Sequence, residues 1–165
     1  MTKSILTLLL IISVGAITAT AKTLKIPNED FAIASVTIPD SWDPEELDKG
    51  VAAQSEDDAV YLAIVAVGSD KGMKAEIDDT FEMLKEHDVE LDEATKKENK
   101  FKINGLDAEE LLFQGKDKDG PTAVSITFVT IKDKLVVMTY WVSTEDEKEH
   151  QEEVGKIVNS LKPTS

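Results

Sequence analysis

Hydrophobic and polar positions divide this chain into strands that are apolar on both faces and charged segments with no clear period. The clearest strands are residues 122–131 and 135–142, filled with the β-branched and aromatic residues that favour extended chain. Successive side chains of a strand point to opposite faces. Here Val124, Ile126 and Phe128 fall on one face, and Ala123, Val129 and Ile131 on the other. Both sets are apolar, so the pattern predicts a hairpin inside a sheet that is covered on both sides, turned by Lys132-Asp133-Lys134. Residues 59–67 repeat this pattern and predict another central strand.

Weaker patterns give the remaining elements. After a polar lead-in, residues 31–38 predict the first strand, ended by Pro39, and residues 51–55 precede the central strand across the turn Glu56-Asp57-Asp58. Residues 101–103 and 106–114 flank Asn104-Gly105, a dipeptide suited to a tight hairpin turn because both positions adopt positive φ. Residues 43–50 are charged and broken, which predicts a loop or one short helical turn from Pro44. Residues 90–99 are polar and yield no assignment.

Two helices follow from spacing. Met73, Ile77, Phe81 and Leu84 form one apolar stripe, with Lys74, Glu76, Asp78, Asp79, Glu82 and Lys85 expected on a solvated face. Near the end, Thr144-Glu-Asp-Glu147 fits a capping box that would start a helix. Its packing stripe is Val154, Ile157, Val158 and Leu161, its charged first half (145–153) is expected in solvent, and Pro163 stops it. The resulting fold class is α+β: a mainly antiparallel sheet of about six to seven strands sandwiched by helices (α/β/α).

At the start, Lys3 precedes an apolar run (5–17) and the small residues Ala19-Thr20-Ala21, so residues 1–21 are expected to be a signal peptide. The run falls short of the roughly 20 residues a spanning helix needs, which weakens the competing reading of a membrane anchor. Residues 22–165 then form a single domain, placed in the periplasm or outside the cell. The chain has no cysteine, so neither disulfides nor a cysteine-linked lipid anchor enters the picture.

Charge narrows the partners. The chain carries 33 acidic against 18 basic residues, a net charge of −15, and every basic residue is lysine. This field opposes nucleic acid and anionic membrane, and favours cations and basic protein surfaces. Acidity that keeps an exported protein soluble is the plainer reading.

Candidate chemistry is sparse. His87 and His150 are expected as surface histidines; His150 and Glu153 share a helix face, but a bundle-type metal site needs a second such pair. Asp117-Lys-Asp-Gly120 matches the start of a calcium loop without its later ligands, so an ordinary turn is expected and calcium is the weaker alternative. There is no nucleophile elbow and no Gly-rich phosphate loop, and the acids are too many to single out a catalytic pair. Tyr140 and Trp141 face opposite ways on a strand and are expected to anchor two cores, one of them lining a groove being the weaker alternative. No catalytic, cofactor-binding or metal residue is assigned.

The layout resembles the PsbP/Mog1-like family, through Ile38-Pro-Asp-Ser-Trp42 at the end of the first strand, a helix after the third, the turn Lys102-Ile-Asn-Gly105 and the closing Val158-Asn-Ser-Leu-Lys162. That family includes photosystem II accessory proteins, a Ran-binding protein and exported bacterial proteins of unassigned activity. The resemblance implies an exported, non-catalytic binding or accessory domain, and the reading of the whole sequence adds that it engages a protein partner. A carboxylate-based hydrolase and a periplasmic protein binding a small ligand or cation are the alternatives.

Overall fold

The structure, a computed structural model, describes residues 20–68 and 72–164. Of the expected signal peptide (residues 1–21), residues 1–19 lie outside this description, as does the side chain of Met73, while Ala21 opens the first strand. In order the elements are β1 (Ala21–Ile26), β2 (Ala34–Pro39), a 3-10 turn (Asp40–Trp42), β3 (Glu45–Leu47), β4 (Gly50–Gln54) and β5 (Val60–Val67). Then come α1 (Gly72–Glu86), β6 (Glu90–Ile103), β7 (Leu106–Lys116), β8 (Pro121–Ile131), β9 (Lys134–Ser143), α2 (Glu147–Ser160) and β10 (Lys162–Pro163). Seven strands form one antiparallel sheet in the order β3-β4-β5-β9-β8-β7-β6, and β1-β2-β10 form a second. The class is α+β and mainly antiparallel, as the hairpin pattern predicted.

Turn chemistry fixes the register. Ile131 pairs with Lys134, so Lys132-Asp133 alone make the β8–β9 turn, with Lys132 at φ 59°. Asn104 and Gly105 lie at φ 50° and 86° between Ile103 and Leu106, the geometry a tight two-residue hairpin requires. A register fixed in this way holds each apolar set on its intended face.

The two-sided strands separate two cores. Val124, Ile126, Phe128, Val137 and Trp141 pack with Phe113 and with Leu84 of α1, and Ile77 and Phe81 add to that cluster. On the opposite face, Val129, Ile131, Val136, Met138, Leu62 and Ile64 pack with Val154, Ile157 and Leu161 from the end of the chain. Leu24, Ile26, Val36, Ile38 and Trp42 belong to the same cluster, so α2 and the small sheet share this cover.

Several expectations change. The polar lead-in holds β1, which turns only Leu24 and Ile26 inward and leaves its first three residues exposed. The first predicted strand begins at Ala34 rather than Phe31, whose side chain is 74% exposed. Residues 45–47 form an edge strand on β4 instead of a loop or helical turn, and the unassigned 90–99 open the 14-residue strand β6. Glu76, expected on a solvated face, is buried. The capping box does not form: α2 starts at Glu147 behind Asp146, with no side-chain cap. The cause is competition from the sheet, because the Thr144 amide and hydroxyl both donate to the Pro121 carbonyl, at 3.0 and 3.3 Å, prolonging the β8–β9 ladder. The helix ends at Ser160, ahead of Pro163, and Leu161 fills the core from just beyond it.

Candidate functional site

The charged first half of α2 is held to the sheet by polar bonds. At the β4–β5 turn, Ser55 Oγ donates to Asp57 Oδ1 at 2.7 Å while accepting the Val60 amide at 2.9 Å. Asp57 Oδ1 also accepts the Ala59 amide, and Asp57 Oδ2 lies 3.0 Å from His150 Nε2. These bonds, that from the Ser55 hydroxyl foremost, hold the Asp57 carboxyl below its ordinary range against a smaller opposing effect of burial. His150 is therefore 8% exposed, a correction to the surface histidine expected from the charge around it. Aspartate sits between serine and histidine here, whereas activating a serine requires histidine in the middle. The trio docks a helix.

The other end of α2 is tied as firmly. Asn104 Nδ2 donates to the carbonyls of Asn159 and Leu161 at 2.7 and 2.8 Å, and Ser160 Oγ accepts the Thr37 amide at 2.8 Å. Fixed at both ends, α2 leaves a cleft of about 260 Å³ between its flank and the strands β6 to β9. Phe101, Val142, Val154 and Val158 supply its apolar walls, and Glu110, Thr127, Tyr140, Glu147, His150 and Gln151 its polar groups. No lysine lines it.

Glu110 is fixed within this cleft. Its Oε1 accepts from Ser125 Oγ at 2.7 Å and its Oε2 from Asn99 Nδ2 at 3.0 Å. Burial, and next the Glu110 charge, raise the pKa of the Tyr140 phenol above its ordinary value. A second cleft, of about 540 Å³, adjoins the first and shares Tyr140 and Glu147; Lys96 and Lys97 line it. It opens where the β6–β7 register shifts between Asp92 and Lys97. There Thr95 Oγ1 bridges the strands, accepting from the Gln114 amide at 2.8 Å and donating to the Asp92 carbonyl at 2.6 Å.

Other residues singled out in the sequence fall elsewhere. His87 is exposed at the end of α1, its ring 5.1 Å from Tyr61 and 5.3 Å from Trp141, and those two rings stack at 4.3 Å. Trp141 belongs to the α1-side core, whereas Tyr140 packs against the opposite core and lines both clefts. Asp117 shapes its own turn: Oδ1 accepts the amides of Asp119 and Gly120, and Oδ2 accepts the Thr122 hydroxyl at 3.1 Å. Glu153 stands 3.9 Å from His150 Nδ1, and no group of three or more metal-ligating side chains is poised for an ion among the described residues. Sequence spacing missed Phe101, Glu110 and Gly155, which come from distant elements. A lone glycine within the helical stripe of residues 154–161 was the one available signal.

No protein-family model and no curated protein matches this chain. Solved structures do. The solution structure of cyanobacterial PsbP (CyanoP) from Synechocystis sp. PCC 6803 is 12% identical over 91% of this chain and 96% of its own, with a TM-score of 0.60. LpqN, involved in cell envelope biogenesis of Mycobacterium tuberculosis, is 10% identical over 80% of this chain and 83% of its own, with a TM-score of 0.53. A structure from Bacteroides thetaiotaomicron VPI-5482 is 14% identical over 80% of this chain and 45% of its own, at 0.52. Identities this low establish a shared fold and leave activity open. On the likeness to CyanoP and LpqN, the fold of this chain is PsbP/Mog1-like.

Proposed function

We propose that this chain is an exported, non-catalytic binding or accessory domain that engages a protein partner through α2 and the cleft beside it. Its finer architecture is an α/β/α sandwich in which the small sheet shares one helical layer. The observation that carries this reading is an acidic surface next to an apolar recess. Glu147 lines the cleft that contains Glu110, and Glu149 and Glu152 are exposed on the other flank of the same turns of α2, beside the small sheet. In a chain of net charge −15, such a face attracts a basic protein surface and speeds its approach. Export rests on the apolar leader with its small-residue end, and a likeness to a protein of cell envelope biogenesis agrees with it. Among the described residues no helix is long and apolar enough to cross a membrane.

Affinity capture with the exported protein from its native extract tests the reading. Recovery of one stoichiometric protein, released by salt, is the expected result. Repeated capture of nothing, or of a partner held equally well after Glu147, Glu149 and Glu152 are changed to glutamine, would overturn it.

A further inference from the structure

Gly155 has no structural task in α2. It sits mid-helix, where glycine is less favourable than alanine, and a Cβ built on it meets nothing within 4 Å. Neither close packing nor a left-handed backbone calls for glycine here. What the missing side chain does is leave room in the cleft that Gly155 lines. Opposite it stands Glu110, held by two neutral donors and paired with no lysine among the described residues, an anion set in place without a counter-charge. The lysines at the β6 bulge, Lys96 and Lys97, line the adjoining cleft instead.

We propose that this cleft receives one lysine or arginine side chain from a protein partner, its aliphatic stem against Val154, Val158 and Phe101 and its cationic head at Glu110. The proposal deepens the binding reading above and rests on it. Size and chemistry select this occupant. At about 260 Å³ the space is below the roughly 300–1,000 Å³ usual for small-molecule sites, and suits a single long side chain. Basic side chains bury their stems along apolar surface while keeping the charged head in a polar setting. The walls here are apolar and the polar end is anionic. A carboxylate already oriented by Ser125 and Asn99 makes a charge-assisted bond with little further ordering. Phe101, at 38% exposure the large apolar residue on the β6 side, offers a ring against which a cation can rest.

The probe is Nα-acetyl-arginine methylamide, titrated into the ¹⁵N-labelled protein, with the citrulline analogue as its neutral match. The expected result is saturable shifts of the Phe101, Val154, Gly155 and Val158 amides, with citrulline about tenfold weaker, the size of one charged hydrogen bond. Glu110→Gln should reduce arginine binding to the citrulline level. Gly155→Leu should abolish the shifts while the unfolding midpoint holds. Equal binding of arginine and citrulline, no shift at these amides up to the probe's solubility, or binding unchanged in Glu110→Gln would overturn the proposal. If a captured partner binds Gly155→Leu as well as the parent, the domain is a binder and the cleft assignment alone falls. Loss of capture by the parent itself removes the broader reading.

Discussion

The hairpins β8–β9 and β6–β7 lie side by side in one sheet under opposite conditions. Residues of β8 and β9 enter both cores, and their ladder runs without a break from Thr122–Ser143 to Ile131–Lys134. In β6, by contrast, only Ile103 is fully buried, and the register slips between Asp92 and Lys97. β7 is the transition, burying Ala108, Leu111 and Phe113 while Asp107 and Gln114 stay exposed. Backbone pairing is thus enough to make a strand, but cover on both faces makes it a stable one. On the proposed reading, the uncovered strand is also where a partner finds room. The charged side chains of β6 suit that position, because they discourage indiscriminate pairing along an open edge.

The comparison breaks most sharply at two phenylalanines. Phe128→Ala should cost about 3–5 kcal/mol, as truncation of a buried aromatic does, whereas Phe101→Ala should cost below about 1 kcal/mol. Phe128 is 3% exposed and Phe101 38%. Urea unfolding of the pair reads this directly, and similar losses would mean that the β6 face is closed.

Next in size is the docking of α2 at Asp57. Asp57→Ala removes the acceptor of the Ser55, Ala59 and His150 bonds and should cost about 1–2 kcal/mol near neutral pH. The sign with pH follows from its lowered carboxyl pKa. A carboxyl acidified by folding stabilises the fold above its unfolded value, near 3.8, and loses that contribution as pH falls through the folded value. The gap between parent and variant should therefore narrow on going from pH 6 to below about pH 4. A gap that widens in acid would contradict the assignment. Smaller still, and opposite in sign, Gly155→Ala should stabilise by about 0.5–1 kcal/mol, read as a raised thermal midpoint. At the open edge, Lys100→Ala breaks an exposed ion pair with Glu109 and should leave the midpoint unchanged at physiological salt.

What was legible in the sequence follows the same division. Strands β5, β8 and β9 were readable because two-sided burial writes an apolar residue at nearly every position, and Asn104-Gly105 because its turn demands positive φ. β1, β3 and the first ten residues of β6 were not, because strands largely open to solvent need no apolar alternation. Local motifs also failed where a distant partner won, as when the Pro121 carbonyl took the Thr144 hydroxyl. His150 looked solvated from its charged neighbours until Asp57, 93 positions away, was brought against it. The cleft was invisible for this reason: Phe101, Glu110, Tyr140 and Gly155 meet only through the fold.

Native-state hydrogen exchange followed against urea tests the division into a closed and an open half most directly. Amides of β9 bonded to β8 should exchange only by global unfolding, with the urea slope of the whole molecule, while β6 amides bonded to β7 exchange through smaller openings nearly insensitive to urea. Equal protection and equal slopes in β6 and β9 would contradict it, showing one uniformly closed sheet with no open face for a partner.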